Sequence, residues 1–184
     1  MALTKTPVCN FGEKAKNFNL MSTENKKISL NDIVGHNGLL VMFICNHCPY
    51  VKAIIDEIVH DCKILLNEGI KSVAIMSNDT INYPEDSFSN MIKFGKKHNF
   101  VFPYLIDEDQ SIAKNYGAVC TPDFFGYNKK LELQYRGRLK EKKNDKSSQK
   151  SKSELLNAMR LIAKTNKGPK DQIPSMGCNI KWIK

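Results

Sequence analysis

The chain has 184 residues, 41% of them hydrophobic and 26% charged, with a formal net charge of +9. A chain of that size buries one ordinary core, so neither a second domain nor a disulfide framework is needed for stability. No stretch is apolar over the length a bilayer crossing takes, residues 1–20 lack the apolar centre of a secretory signal, and the basic charge is lysine, the arginines being Arg136, Arg138 and Arg160, whereas nucleic-acid recognition leans on arginine. The expectation is a cytoplasmic protein with no membrane and no specific nucleic acid as partner, whose charge gives at most a weak, salt-sensitive attraction to acidic molecules.

Residues 1–15 read as an N-terminal arm. Two short apolar runs, Phe18 to Met21 and Ile28 to Leu30, flank the polar Ser22-Thr23-Glu24-Asn25 and predict a β-hairpin. After a turn at Gly35 to Gly38, every residue from Leu39 to Ile44 is apolar, as in a central strand covered on both faces. Val51, Ile54, Ile55, Ile58, Val59, Cys62, Leu65 and Leu66 recur at spacings of three and four, which predicts one long helix from Pro49 to a stop at Gly69.

A second strand is predicted over Lys71 to Asn78, and a helix from Pro84, in its first turn, to His98. Phe102 to Ile106 reads as a third strand, and Asp109 to Tyr116 as a short helix capped by Asp109 and ended by Gly117. Asp123 to Tyr127 and Leu131 to Tyr135, joined by Asn128-Lys129-Lys130, predict an antiparallel hairpin at the sheet edge. Residues 140–152 are rich in Lys and Ser and read as a mobile loop. A last helix starts near Ser151, at capping-box spacing from Glu154, and turns Leu155, Met159, Ile162 and Ala163 inward. Residues 167–184 show neither period and read as an irregular tail that packs Ile180 and Trp182 back on the body. The fold class is therefore α/β, one domain with a central mixed β-sheet flanked by helices.

Cysteines stand at 9, 45, 48, 62, 120 and 178, too scattered for a structural framework. The close pair, Cys45-Asn46-His47-Cys48, lies between the central strand and the long helix. Unpaired N–H groups at the helix start favour a thiolate there, which makes Cys45 the candidate nucleophile. Cys48, one turn on, faces the same way within disulfide reach and is the candidate resolving thiol. His47 either lends a hydrogen bond or positive charge to the first sulfur, making the disulfide more oxidising, or points into solvent.

Five strings in order, Phe43-Ile44-Cys45-Asn46-His47-Cys48-Pro49-Tyr50-Val51-Lys52, Tyr83-Pro84-Glu85-Asp86-Ser87, Cys120-Thr121-Pro122-Asp123-Phe124-Phe125, Tyr135-Arg136-Gly137-Arg138 and Pro174-Ser175-Met176-Gly177-Cys178-Asn179-Ile180-Lys181-Trp182, resemble the peroxiredoxin-like (AhpC/TSA-like) subgroup of thioredoxin-fold proteins. The resemblance implies a thioredoxin-like fold and a cis bond before Pro122, facing the thiols. It also implies that backbone groups of Thr121 are free to pair with an extended substrate segment, with Asn46, Pro49 and Phe124 beside them. The implied function is disulfide exchange with protein disulfides or small thiols, with no cofactor and no metal, in a monomer or homodimer. The strand Leu39 to Ile44 lacks the buried acid of thioredoxin, so another group or water must serve. Asn78 and Asp79 are the nearest polar candidates, although Asn-Asp at a strand end is also plain turn chemistry.

Two further readings compete. A thiol peroxidase, with an antioxidant role, resembles this chain less: peroxiredoxins carry Thr three residues before the reactive cysteine and Pro four before that Thr, where this chain has Cys45 and Val41 relative to Cys48. Arg136 or Arg138 would there stabilise a thiolate or bound peroxide, or else stand as solvated surface charges. A non-catalytic metal-binding module would use Cys45 and Cys48 with His60 or Cys62, but no second Cys-x-x-Cys or His pair is present and Cys62 falls on the apolar stripe. Cys120 is either a third redox thiol or a packed one, and Cys178 lies in the tail near Trp182, with its redox role open.

Overall fold

The computed structural model of the protein describes residues 3–141 and 153–184. The arm opens with strand β1 (Leu3–Lys5), and the predicted hairpin forms from β2 (Asn19–Ser22) and β3 (Lys27–Ser29), with Leu20 opposite Ile28. Strand β4 (Gly38–Phe43) runs parallel to β5 (Ile70–Met76), and β5 parallel to β6 (Tyr104–Ile106). On its other side β4 pairs antiparallel with β8 (Asp123–Tyr127), which turns back into β9 (Leu133–Tyr135). The result is a seven-stranded mixed sheet in the order β3-β2-β6-β5-β4-β8-β9, with β4 near its middle as its composition predicts.

The unbroken apolar run of β4 is explained by what lies on its two faces. Leu40, Met42 and Ile44 pack with Ile58 and Leu65 of helix α2 (Ile55–Asn67) and with Met159 and Ile162 of α5 (Glu154–Thr165). Leu39, Val41 and Phe43 pack on the opposite side with Leu30 and Ile33 of a 3-10 turn and with Ile112 and Tyr116 of α4 (Ser111–Tyr116). All six β4-run side chains are fully buried, and each contributes about 1.5–3 kcal/mol by leaving water. Among the described residues no helix is long and apolar enough to cross a membrane.

Several predicted elements differ in their boundaries. The helix expected from Pro49 to Gly69 is two helices, α1 (Pro49–Lys52) and α2. Ile54 stands between them at φ −130°, and its N–H bonds back only three residues, to Val51 O at 3.0 Å. The apolar stripe carries on across this tightened step, so periodicity cannot register it. The helix expected from Pro84 is a 3-10 turn, Pro84–Asp86, and then α3 (Phe88–Lys97), separated by an extended Ser87 at ψ 153°.

Asp109 accepts one N–H, from Ser111 at 2.9 Å, while Asp107 caps α4 by taking the N–H groups of Ile112 and Ala113 at 3.2 and 2.9 Å. Gly117, at φ 62°, ends α4 as expected. Helix α5 is capped by Ser153, whose Oγ accepts the Leu156 N–H at 3.1 Å. Ser151, and residues 142–152 of the expected loop, lie outside the described residues. Leu155, Met159 and Ile162 turn inward with Ala158, and Ala163 is half-buried.

The tail is not irregular throughout. Residues Met176–Asn179 form β10, which lies between β1 and the short strand β7 (Cys120–Thr121) in a second sheet. A four-residue strand with one glycine and one asparagine carries no readable alternation. Ile180 is buried as expected, whereas Trp182 remains 39% exposed, with the Lys114 ammonium 5.8 Å from its ring centroid.

Candidate active site at Cys45 and Cys48

Strand pairing assembles the site. Phe43 of β4 stands opposite Asp123 of β8, and continuing that register brings Thr121 beside Cys45. The Thr121–Pro122 peptide is cis, as the resemblance implies. Thr121 meets both thiols: its Oγ1 lies 3.3 Å from Cys45 Sγ, and its carbonyl accepts from Cys48 Sγ at 3.1 Å. Its backbone is not free for a substrate segment, however, because Thr121 already pairs with Cys178 of β10. The expectation of an open Thr121 is corrected by the chain's own C-terminal strand.

The buried acid that β4 lacks is supplied from elsewhere. Asp86, fully buried at the end of the 3-10 turn, accepts the N–H groups of Asn46 and His47 at 2.8 and 3.2 Å on Oδ1. On Oδ2 it meets Asn78 Nδ2 at 2.7 Å and His47 Nδ1 at 2.6 Å. The hydrogen bond to Asp86 raises the His47 pKa against the opposing effect of burial. Burial pushes the Asp86 carboxyl up, yet the bonds from His47 and Asn78 hold it below its ordinary range.

His47 therefore neither points into solvent nor serves Cys45 alone. Its Nδ1 is 4.0 Å from Cys45 Sγ, its ring stacks on Tyr83 at 5.7 Å, and its Nε2 is buried without a partner among the described residues. His47 is held by Asp86, whose own charge works against ionisation of Cys45. Sequence reasoning missed Asp86, although it stands inside one of the strings that carry the resemblance. Asn78 serves by orienting it and by accepting the Lys181 N–H on Oδ1 at 2.8 Å. The Asp79 carboxylate takes the N–H groups of Ile81 and Asn82, the turn role, while its backbone N–H donates to Lys181 O at 2.8 Å.

The two sulfurs behave as one acid pair. The hydrogen bond between them pulls the Cys48 thiol far below the ordinary range. The same bond, with burial and the Asp86 charge, pushes Cys45 well above it. Helix α1 starts at Pro49 with Cys48 as its N-cap, and the N–H groups of Val51 and Cys178 favour charge on the Cys48 sulfur. The sequence places that advantage at Cys45; the structure moves it three residues on.

The other expected site residues divide. Asn46 is buried and ties the motif inward, donating from Nδ2 to Glu85 O at 3.1 Å and accepting from the Tyr104 hydroxyl at 3.0 Å. Pro49 is exposed at the start of α1. Pro122 and Phe124 line an apolar groove of about 330 Å³, together with Tyr50, Ile54, Ile173 and Pro174. Arg138 stands on its rim, paired to Glu154 at 2.6 Å. Arg136 lies elsewhere, buried against Asp123 at 3.0 Å and Gly117 O at 2.7 Å, with its guanidinium 4.4 Å from the Phe125 ring centroid. Both arginines are thus committed to carboxylates rather than to sulfur or peroxide.

Cys120 is packed, its Sγ 3.7 Å from Pro122 O, and burial pushes its thiol up. Cys62 sits in the core beneath α2, where burial pushes it up to about 12, while His60 is exposed. Among the described residues neither joins a cluster of metal-donor atoms. Cys45, His47 and Asp86 do come within 4.8 Å of one another. The Asp86 oxygens, however, already take four N–H donors.

Comparison with known proteins agrees with this geometry. A crystal structure of an uncharacterized conserved protein from Geobacillus kaustophilus is similar at 34% identity and TM-score 0.92, over 100% of this chain and 97% of that one. The thiol-disulfide oxidoreductase ResA of Bacillus thuringiensis subsp. konkukian is 27% identical over 125 residues, 66% of this chain and 66% of that protein, just under two thirds of its length. A secreted Mycobacterium tuberculosis disulfide oxidoreductase homologous to E. coli DsbE shares the fold, at 18% identity and TM-score 0.54, over 64% of this chain and 80% of that one. The AhpC/TSA family model matches residues 11–141, most of the chain and all of the segment that carries Cys45, Cys48, Asp86 and Thr121, so the chain belongs to the AhpC/TSA family.

Proposed function

We propose that the protein is a thiol-disulfide oxidoreductase that works through Cys45 and Cys48. One observation carries this reading: both sulfurs meet the two polar groups of a single residue, Thr121, at a cis proline. Ionisation of the pair is favoured on the Cys48 side. Moving the shared proton onto Cys48 lets its S–H donate to the Thr121 carbonyl, and leaves the charge on Cys45 beside the Thr121 hydroxyl. With the proton on Cys48 both Thr121 contacts are made, so the charge on Cys45 is not stranded in the buried site.

Cys45 then attacks one sulfur of a disulfide substrate, whose other sulfur leaves as a thiolate and takes up a proton. Cys48, losing its proton, attacks Cys45 Sγ and expels the second substrate sulfur. The substrate gains two electrons and two protons, and the protein holds a Cys45–Cys48 disulfide; the reverse sequence oxidises a dithiol. The groove beside Pro122 is apolar and suits an uncharged side chain of a protein substrate. We assign the protein to the cytoplasm, on its scattered cysteines.

The test is to treat the reduced protein with oxidised glutathione, block remaining thiols and map the links by mass spectrometry. A Cys45–Cys48 link is the expected result, and its absence overturns the exchange reading. Rapid stoichiometric consumption of hydrogen peroxide in a parallel sample would favour the peroxidase instead.

A further inference from the structure

We propose that Cys178 is a third redox thiol of this site, an internal substrate that takes over the disulfide from Cys45–Cys48 as a Cys48–Cys178 bond. The proposal rests on the exchange reading and extends it to the C-terminal strand. Strand β10 runs antiparallel beside β7 and sets Cys178 directly opposite Thr121, the residue that contacts both catalytic sulfurs. That is the place where an extended substrate would lie, and the chain fills it with a cysteine of its own.

The approach is close because the preceding residue is glycine: a Cβ at Gly177 would run into the Thr121 carbonyl and lie 3.1 Å from Pro122 Cδ. Cys178 is 4% exposed and packs in the same apolar cluster as Cys45 and Cys48. Strand β10 also packs against the short helix α1, whose N-cap is Cys48. The neighbouring Cys120 instead turns its sulfur to Pro122 O.

The step is an isomerisation of the disulfide and needs no outside oxidant. Cys178, as a thiolate, attacks Cys48 Sγ; the Cys45–Cys48 bond breaks and its electron pair leaves on Cys45. Cys45 takes up the proton that Cys178 gave up, or stays ionised beside the Thr121 hydroxyl. In the dithiol state, burial and then Cys48 hold Cys178 up to about 11, while Lys181 works the other way. Once Cys48 is bound in a disulfide its charge is gone, which eases ionisation of Cys178 at the moment the step requires it. The product stores the oxidising equivalent inside and returns Cys45 for a second attack.

The experiment compares wild type, C45S and C45S/C178S after oxidation with diamide, blocking of thiols and peptide mapping. Wild type should show the Cys45–Cys48 link. C45S should lose two of its thiols to a Cys48–Cys178 link, and C45S/C178S should lose none. Wild type that links Cys45 to Cys48, beside a C45S with native far-ultraviolet circular dichroism that keeps all its thiols or links Cys48 to Cys120, overturns the role of Cys178 alone. Wild type without the Cys45–Cys48 link overturns the exchange reading and this step with it. If C45S does not fold, oxidised wild type decides: a Cys48–Cys178 peptide beside the main link supports the proposal, and its complete absence overturns it.

Discussion

Thr121 and Asp86 act on the Cys45 thiol in opposite directions, and each is open to a clean substitution. The Thr121 hydroxyl lies 3.3 Å from Cys45 Sγ and lowers the pKa of both thiols. T121V keeps the shape and the carbonyl but removes that donor. A hydrogen bond to a charged group contributes about 1.5 kcal/mol or more, so the first ionisation of the pair should rise by about one pH unit. Thiolate absorbance near 240 nm, followed against pH, reads the shift; an unchanged curve would mean that the hydroxyl does not face the charge.

Asp86 contributes through the His47 pair, and its effect has a defined pH window. The folded pKa of His47 is raised, so its share of stability is complete below the ordinary 6.5 and is lost as pH rises through the folded value. The folded pKa of Asp86 is lowered, so its share is present above the ordinary 3.8 and is lost as pH falls through the folded value. The two overlap between about pH 4 and 6.5. D86N should cost about 3 kcal/mol, as breaking a buried pair does, with the largest gap from wild type in that window. Urea unfolding across pH measures it, and a gap that does not vary with pH would contradict the ion pair. Cys45, Cys48 and Pro122 are legible in the sequence because each has a fixed local context. Asp86 is not, because its partners Asn46 and His47 are about forty residues away and only the folded turn brings them together.

Elements tell a similar story. The strand β4 was readable from six apolar residues because burial on both faces leaves a mark on every position. The breaks at Ile54 and Ser87 leave no such mark, since they preserve the apolar spacing. Strand β10 is invisible for a different reason: it is held by pairing on both sides rather than by alternating hydrophobicity. Gly177 is the residue that permits that pairing, because its missing Cβ leaves room for the Thr121 carbonyl. G177A should lift β10 from β7 and destabilise the protein by about 1–3 kcal/mol, as overpacking does. The lifted strand should also expose Cys178, seen as faster labelling by iodoacetamide in the folded protein. A variant with wild-type melting temperature and wild-type labelling would show that β10 is not seated on Thr121.

At the scale of the whole molecule, fold and charge answer separate questions. The core sets where the thiols are, since the β4–β8 register alone brings Thr121 to Cys45. The net charge of +9 plays no part in that, because among the described residues the ion pairs near the site are local and matched. The excess lysine should raise the rate at which acidic partners arrive. Salt shortens the reach of that field, from about 30 Å at 0.01 M to about 8 Å at 0.15 M. Exchange with an acidic protein disulfide should therefore slow by roughly tenfold between low and physiological salt. Exchange with uncharged hydroxyethyl disulfide, which has no charge to steer, should stay constant over the same range. Stopped-flow rates for the two substrates separate the field from the chemistry: if both fall together, salt acts on the sulfur pair itself, and if neither falls, the lysines steer nothing.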